Sequence, residues 1–120
     1  MEFLSLKPGR SVEGDEIPCF RSENKASNYV YLVAGTHGDE VEGVYVLQQL
    51  FDWLKEDEDV NLPFIILPIL NVDGYRASTR VNSHGVDLNR NYPTKNWSSE
   101  ARKKKYFPGE KALSEPENQF

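Results

Sequence analysis

Two apolar runs flank a stretch of helical periodicity in the first part of the chain. Residues 29–34 read YVYLVA and residues 63–70 read PFIILPIL; both runs are typical of strands, and the first favours a strand buried on both faces. Between them, apolar residues recur at three- and four-residue steps, which predicts an amphipathic helix from about 40 to 55. A short strand is also expected at residues 16–21. The span 29–70 therefore predicts a β-α-β unit with parallel strands and a right-handed crossover.

The remaining chain has little periodicity and many turn-forming residues. Because residues 71–116 are punctuated by Gly and Pro, we expect one long functional loop there. The segment SEPE predicts a helix start with Ser114 as N-cap and Glu117 closing a capping box. Since the chain ends three residues later, we expect residues 1–120 to be the N-terminal part of a single domain truncated after Phe120. Its cut sheet is expected to expose apolar edges and so to favour self-association or pairing with another chain.

Composition and charge argue against several classes of protein. The 120 residues are 38% hydrophobic and 28% charged, which indicates a folded domain rather than a disordered chain. The net charge of -5 argues against nucleic acid as a partner, and the basic run at residues 102–105 is expected to be a solvated loop. The single cysteine, Cys19, excludes an intramolecular disulfide and is expected to be buried. Because neither a signal peptide nor a membrane-spanning run is visible, we expect a cytoplasmic location without membrane association.

Polar residues follow both central strands, at the carboxyl ends where α/β folds bind ligands. His37 and Glu40 form an H-x-x-E pair, whose imidazole and carboxylate can converge on Zn²⁺ from a strand-to-helix turn. The same residues could instead form an acidic first helical turn beside an incidental histidine. The long loop supplies Arg80 and the neighbours Asn89 and Arg90. One guanidinium can stabilise an oxyanion, and another with a side-chain amide can hold a substrate carboxylate.

Several of these segments resemble one enzyme family. The runs GTHGDEVEG, NVDG, RVNSHGVDLNRNYP and SEPE occur in the order found in zinc carboxypeptidases (funnelins), and most resemble the bacterial branch of murein peptide amidases and small carboxypeptidases. The resemblance spans about residues 9–117. It implies an α/β fold with a carboxypeptidase-like mixed sheet and flanking helices. Only the N-terminal part of that catalytic domain is expected here, with about three strands, one main helix and a long active-site loop.

The resemblance also implies residue roles. His37 and Glu40 match the first two ligands of one zinc ion. Arg80 matches the catalytic arginine that holds the oxyanion, while Asn89 and Arg90 match the pair that binds the substrate's terminal carboxylate. Three further residues have lesser expected roles: Asp87 supports the loop, Arg76 is a weaker alternative to Arg80, and His84 faces solvent.

In this family a third zinc ligand and a glutamate base lie further downstream, and neither is expected within these 120 residues. For the intact protein we expect zinc-dependent hydrolysis of an amide bond next to a free C-terminal carboxylate. A cell-wall peptide ending in diaminopimelate is the first expected substrate, and a peptide with an ordinary C-terminal residue is the second. Two alternatives stay open: a non-catalytic remnant that binds carboxylates or a partner protein, and an acylamino-acid amidohydrolase of the succinylglutamate desuccinylase type.

Overall fold

A four-stranded mixed sheet forms the centre of the protein in a computed structural model that describes residues 1–119. Its strands are, in spatial order, β1 (Phe3–Ser5), β4 (Phe20–Ser22), β6 (Phe64–Leu67) and β5 (Val30–Val33). β5 and β6 are parallel, whereas the other neighbouring pairs are antiparallel. A separate two-stranded ladder pairs β2 (Gly9–Arg10) with β3 (Glu16–Ile17). The predicted mixed α/β fold is confirmed. The main sheet has one strand more than expected, because β1 was not predicted. The predicted strand at 16–21 is divided between β3 of the small ladder and β4 of the main sheet.

The long helix α1 (Val41–Glu56) connects β5 to β6 and packs against the sheet. Its buried residues recur at three- and four-residue steps and pack with buried residues of the sheet; the cluster comprises Ala34, Val44, Leu47, Phe51, Leu54, Phe64 and Ile66. A second cluster contains Ile17, Cys19, Leu67, Leu70 and Leu88. The predicted helix and its parallel flanking strands are therefore present, and Cys19 is buried as expected. Within residues 1–119, no helix combines the length and apolar character needed to cross a membrane.

β5 differs from the prediction in its burial. Val30, Tyr31 and Val33 are 42%, 65% and 47% exposed, so a strand buried on both faces is wrong for this segment. The reason is topological: β5 lies at the edge of the sheet, and within residues 1–119 it pairs only with β6. Apolar residues alone do not reveal whether a second neighbour is present. Pairing of this edge with another chain stays a prediction.

The segment after β6 contains more regular structure than the predicted loop. It forms a second helix, α2 (Val72–Ala77), and three 3₁₀ turns at Leu88–Arg90, Lys104–Tyr106 and Pro116–Asn118. The predicted capping box is wrong, because Glu115 precedes the last turn and no side-chain capping bond forms. Glu117 is buried instead and accepts hydrogen bonds from the Val12 amide and the Asn82 side chain. The predicted truncation after Phe120 lies outside the described residues.

Candidate functional site

The loops that follow β5 and β6 meet at the carboxyl ends of these parallel strands. The Gly38 amide and the Asn71 side chain both donate to the Arg80 carbonyl, at 3.4 Å and 3.3 Å. A Cβ atom on Gly38 would overlap the backbone of Gly74 and Tyr75 in α2. Glycine is therefore needed at position 38 for the loop carrying His37 to lie against α2.

His37 is buried and lies between two carboxylates. Its Nδ1 atom is 3.1 Å from Oε2 of Glu40, and its Nε2 atom is 2.9 Å from Oδ1 of Asp87. The Asp87 side chain is completely buried, whereas the Glu40 side chain is 65% exposed. The imidazole is therefore fixed from the protein interior by Asp87, and its other nitrogen faces a carboxylate that solvent can reach.

Asp87 also binds the predicted catalytic arginine. Its Oδ2 accepts hydrogen bonds from Nε and Nη2 of Arg80 at 3.2 Å and 3.0 Å, while Oδ1 accepts one from the backbone N–H of Asn89 at 3.0 Å. Burial raises the pKa of Asp87, but hydrogen bonds and charges from His37 and Arg80 lower it, and the net pKa is below the ordinary 3.8. Asp87 therefore does support the loop, as expected, but it also connects the predicted metal ligand to the predicted catalytic arginine.

The donor atoms of His37 and Glu40 fit a zinc ion. Because ionised Asp87 only accepts hydrogen bonds, Nε2 of a neutral His37 donates to it, and Nδ1 then presents a lone pair to Glu40. A lone pair and a carboxylate oxygen 3.1 Å apart repel each other unless a proton or a cation lies between them. Two ligands at about 2.0–2.1 Å from a tetrahedral zinc are about 3.3 Å apart, close to the observed separation. Within residues 1–119, no further histidine, cysteine or carboxylate lies where it could act as a third metal ligand beside these two residues.

A cleft of about 730 Å³ brings the other predicted residues together. Its wall includes Arg80, Asn89 and Arg90, together with aromatic and polar residues that include Tyr92, Trp97, Arg102 and Tyr106. His37 and Glu40 are not part of this wall in the described residues, and the Asp87–Arg80 ion pair connects them to it.

Two residues with lesser expected roles have other contacts. Arg76 forms an ion pair with Asp15, and it does not line the cleft within residues 1–119. The His84 side chain is 56% exposed, as expected of a loop histidine, but its Nδ1 lies 2.7 Å from the buried Glu115.

Sequence reasoning missed the aromatic wall of the cleft. The Tyr106 ring packs against Arg80 and Arg90 of the cleft. In the sequence it is marked only by its position directly after the basic run, and an aromatic residue there is not specific to any function. The basic run itself is exposed at residues 102–105, as predicted, although Arg102 also reaches the cleft.

Comparison with known proteins identifies the family. The model of the succinylglutamate desuccinylase/aspartoacylase catalytic domain matches residues 26–115, three quarters of the chain. The chain belongs to this family. Its relatives and structural neighbours also confirm the predicted family of carboxypeptidase- and amidase-type proteins. The chain corresponds to the N-terminal part of such proteins.

Among curated proteins, the chain is similar to murein peptide amidase A of Escherichia coli K12. The two are 33% identical over 122 residues, which cover 92% of this chain and 49% of the relative. The chain therefore spans about half the length of the curated relative that it matches.

Two solved structures share the fold. The murein-tripeptide amidase of Escherichia coli O157 superposes with a TM-score of 0.70 and 29% identity, covering 91% of this chain and 49% of that one. Thrombin activatable fibrinolysis inhibitor superposes with a TM-score of 0.80 and 25% identity, covering 96% of this chain and 38% of that one.

Proposed function

We propose that these residues belong to a zinc-dependent hydrolase that cleaves an amide bond next to a free C-terminal carboxylate. The observation that carries the proposal is the position of Asp87, whose buried carboxylate binds His37 on one side and Arg80 on the other. One buried carboxylate thus connects a potential metal ligand to a cleft that contains a second arginine and an asparagine.

Arg80 is suited to stabilise an oxyanion. Its Nε and Nη2 atoms are held by Asp87, while Nη1 makes no hydrogen bond within residues 1–119. The side chain is only 24% exposed, so a charge-assisted hydrogen bond from it would be partly shielded from water. An anchored guanidinium with a free donor needs little reorganisation when negative charge develops on a scissile carbonyl.

Asn89 and Arg90 are suited to bind the substrate's carboxylate. Both are exposed at the cleft, and the backbone N–H of Asn89 donates to Asp87. Within residues 1–119 the Arg90 guanidinium forms no ion pair and donates only to the adjacent Asn89 carbonyl, at 3.3 Å. Its fork of donors is therefore available to a carboxylate from outside the protein.

The metal would be held by His37 and Glu40, with Asp87 fixing the imidazole through Nε2. When bound, zinc would polarise the scissile carbonyl and make water a stronger nucleophile near neutral pH. In this proposal the third protein ligand and the general base come from residues other than 1–119.

The proposed substrate is a cell-wall peptide with a free terminal carboxylate. Support comes from the similarity to murein peptide amidase A over 92% of this chain. The description of the matched family favours a second candidate, hydrolysis of an acylated amino acid. The Arg90 guanidinium, which forms no ion pair within residues 1–119 and lines the cleft, is also compatible with a third, in which these residues bind carboxylates without catalysis.

The test uses the native protein and two peptides that differ only at the C-terminus. A murein-type tripeptide with a free carboxylate should be cleaved in a zinc-dependent reaction, and its C-terminal amide should be cleaved poorly. Arg90→Ala should raise KM for the free acid about 10- to 100-fold, because a hydrogen bond to a charged group contributes about 1.5–3 kcal/mol. Arg76→Ala is the matched control and should leave KM unchanged.

Three results would discriminate among the candidates. Equal cleavage of acid and amide would contradict the role of Asn89 and Arg90. Faster hydrolysis of an N-acyl amino acid than of the tripeptide would favour the second candidate. Binding of the free acid without cleavage, in native protein supplied with zinc, would favour the third.

A further inference from the structure

Tyr106 contacts both arginines of the proposed substrate site. Its ring centroid is 5.1 Å from Cζ of Arg80 and 5.9 Å from Cζ of Arg90, and Nζ of Lys105 lies 5.2 Å from the same centroid. A cation within about 6 Å of a ring centroid is attracted by the negative face of the ring. The ring is thus shared by the two guanidiniums to which different roles are assigned.

We propose that Tyr106 is a positioning residue that holds Arg80 and Arg90 in one arrangement for substrate binding. This inference rests on the proposed function, because it concerns the residues that would bind the oxyanion and the carboxylate. The two guanidiniums repel each other, and Asp87 compensates only Arg80 by direct contact. The ring attracts both cations without forming an ion pair with either.

An aromatic partner has a chemical advantage over a carboxylate at this position. An acidic side chain beside Arg90 would occupy its N–H donors and cancel the positive charge that attracts the substrate. A ring attracts the guanidinium through its π-electrons and leaves N–H donors available at the edge of the group. Arg90 can therefore be restrained and still bind a carboxylate.

The backbone fixes the ring relative to the arginines. The Tyr106 amide donates to the Lys103 carbonyl at 2.9 Å and closes the 3₁₀ turn. The next carbonyl, of Phe107, accepts the Asp87 amide at 2.8 Å. The Pro108 carbonyl then accepts the buried Asn91 side chain at 3.0 Å. The two carbonyls that follow Tyr106 are thus hydrogen-bonded to the residues just before and just after Leu88–Arg90, the turn that carries Asn89 and Arg90.

The positioning can be measured directly in the native protein by NMR, with tyrosine and arginine selectively labelled. In the wild type, the Tyr106 ring protons should show NOEs to both Arg80 and Arg90, and the arginine Nε–Hε signals should carry ring-current shifts. Tyr106→Leu, which removes the ring but keeps an apolar side chain, should abolish these shifts, whereas Tyr106→Phe should retain them. Tyr45→Leu is the matched control, because Tyr45 lies on α1 and is 67% exposed.

Binding is the second readout, with N-acetylalanine as the probe and its carboxamide as the control ligand. Tyr106→Leu should weaken binding of the acid about three- to tenfold, the range expected when a cation–π contact is lost, and Tyr106→Phe should restore it. Affinity for the carboxamide should not change.

Two results would overturn the inference: no NOE from the wild-type ring to the two arginines, or identical arginine Hε shifts in wild type and Tyr106→Leu. The NOE measurement does not depend on whether a variant folds. If wild-type protein fails to bind the acid, the carboxylate clamp of the proposed function fails, while the NMR measurements still decide the role of Tyr106.

Discussion

Asp87 and His37 are 50 positions apart, and the Oδ1 atom of one lies 2.9 Å from the Nε2 atom of the other. The aspartate is fully buried and the histidine nearly so. A carboxylate on the far nitrogen of a metal-binding imidazole fixes its tautomer and its orientation. Because the same carboxylate binds Arg80, a change at Asp87 should disturb the metal site and the cleft together.

Asp87→Ala should destabilise the chain by about 2–4 kcal/mol, because a partly buried guanidinium and a buried imidazole would lose their partner. Zinc affinity should also fall about 10- to 100-fold, since the imidazole would no longer be fixed. Urea denaturation and calorimetric zinc titration would measure the two effects. Asp39→Ala, at an exposed position, should change stability by less than about 0.5 kcal/mol. Equal effects of the two substitutions would contradict the assigned role of Asp87.

The central β-α-β unit was predictable because the apolar residues that α1 buries recur at a helical spacing in the sequence. Val44, Leu47, Phe51 and Leu54 are buried at the spacing that predicted the helix. The exposure of β5 was not predictable, because an apolar strand has the same composition whether it is central or at an edge. α2 was missed since six residues are too few for a helical period to emerge.

The candidate site was only partly predictable. Residue types and motif spacing selected Arg80, Asn89 and Arg90, which do line one cleft, although their chemical roles stay predictions. The sequence did not reveal that Asp87 contacts His37, because this contact depends on how separate loops meet. Tyr106 was missed for the same reason: its position relative to the arginines is set by backbone hydrogen bonds of the loop that follows it.

His37→Ala should abolish the zinc affinity of the 120-residue chain, which we expect to be weak because only two ligands converge within residues 1–119. Titration calorimetry at neutral pH would measure it. His84→Ala is the matched control, since His84 is half exposed and its Nδ1 contacts Glu115. Zinc binding that survives His37→Ala, or that is lost with His84→Ala, would place the metal elsewhere.

The stability of the protein should depend on the ionisation of Glu115. Burial raises the pKa of this carboxyl, but hydrogen bonds from Asn82, Ser114 and His84 and the charge of His84 lower it below its ordinary 4.5. A carboxyl with a lowered folded-state pKa stabilises the fold above its unfolded pKa, and this stabilisation is lost as the pH falls through the folded pKa. The free energy of unfolding should therefore decrease on acidification below about pH 4.5.

Glu115→Gln should reduce this loss, and Glu110→Gln, at an exposed position, should not. Urea denaturation curves recorded at several pH values from neutral down to about pH 3 would measure both. Parallel pH profiles for wild type and Glu115→Gln would show that another group is responsible.

Two glycines provide a matched test of how the metal-ligand loop packs. Gly38→Ala should destabilise the protein by at least about 2 kcal/mol, because the added methyl group would overlap the α2 backbone at Gly74 and Tyr75, which cannot move as a side chain could. Gly43→Ala lies within α1 and meets no atom within 4 Å, so it should stabilise the helix by about 0.5–1 kcal/mol. Thermal and urea unfolding would measure both. If both alanines were tolerated, the loop carrying His37 would not be held against α2 as the structure describes.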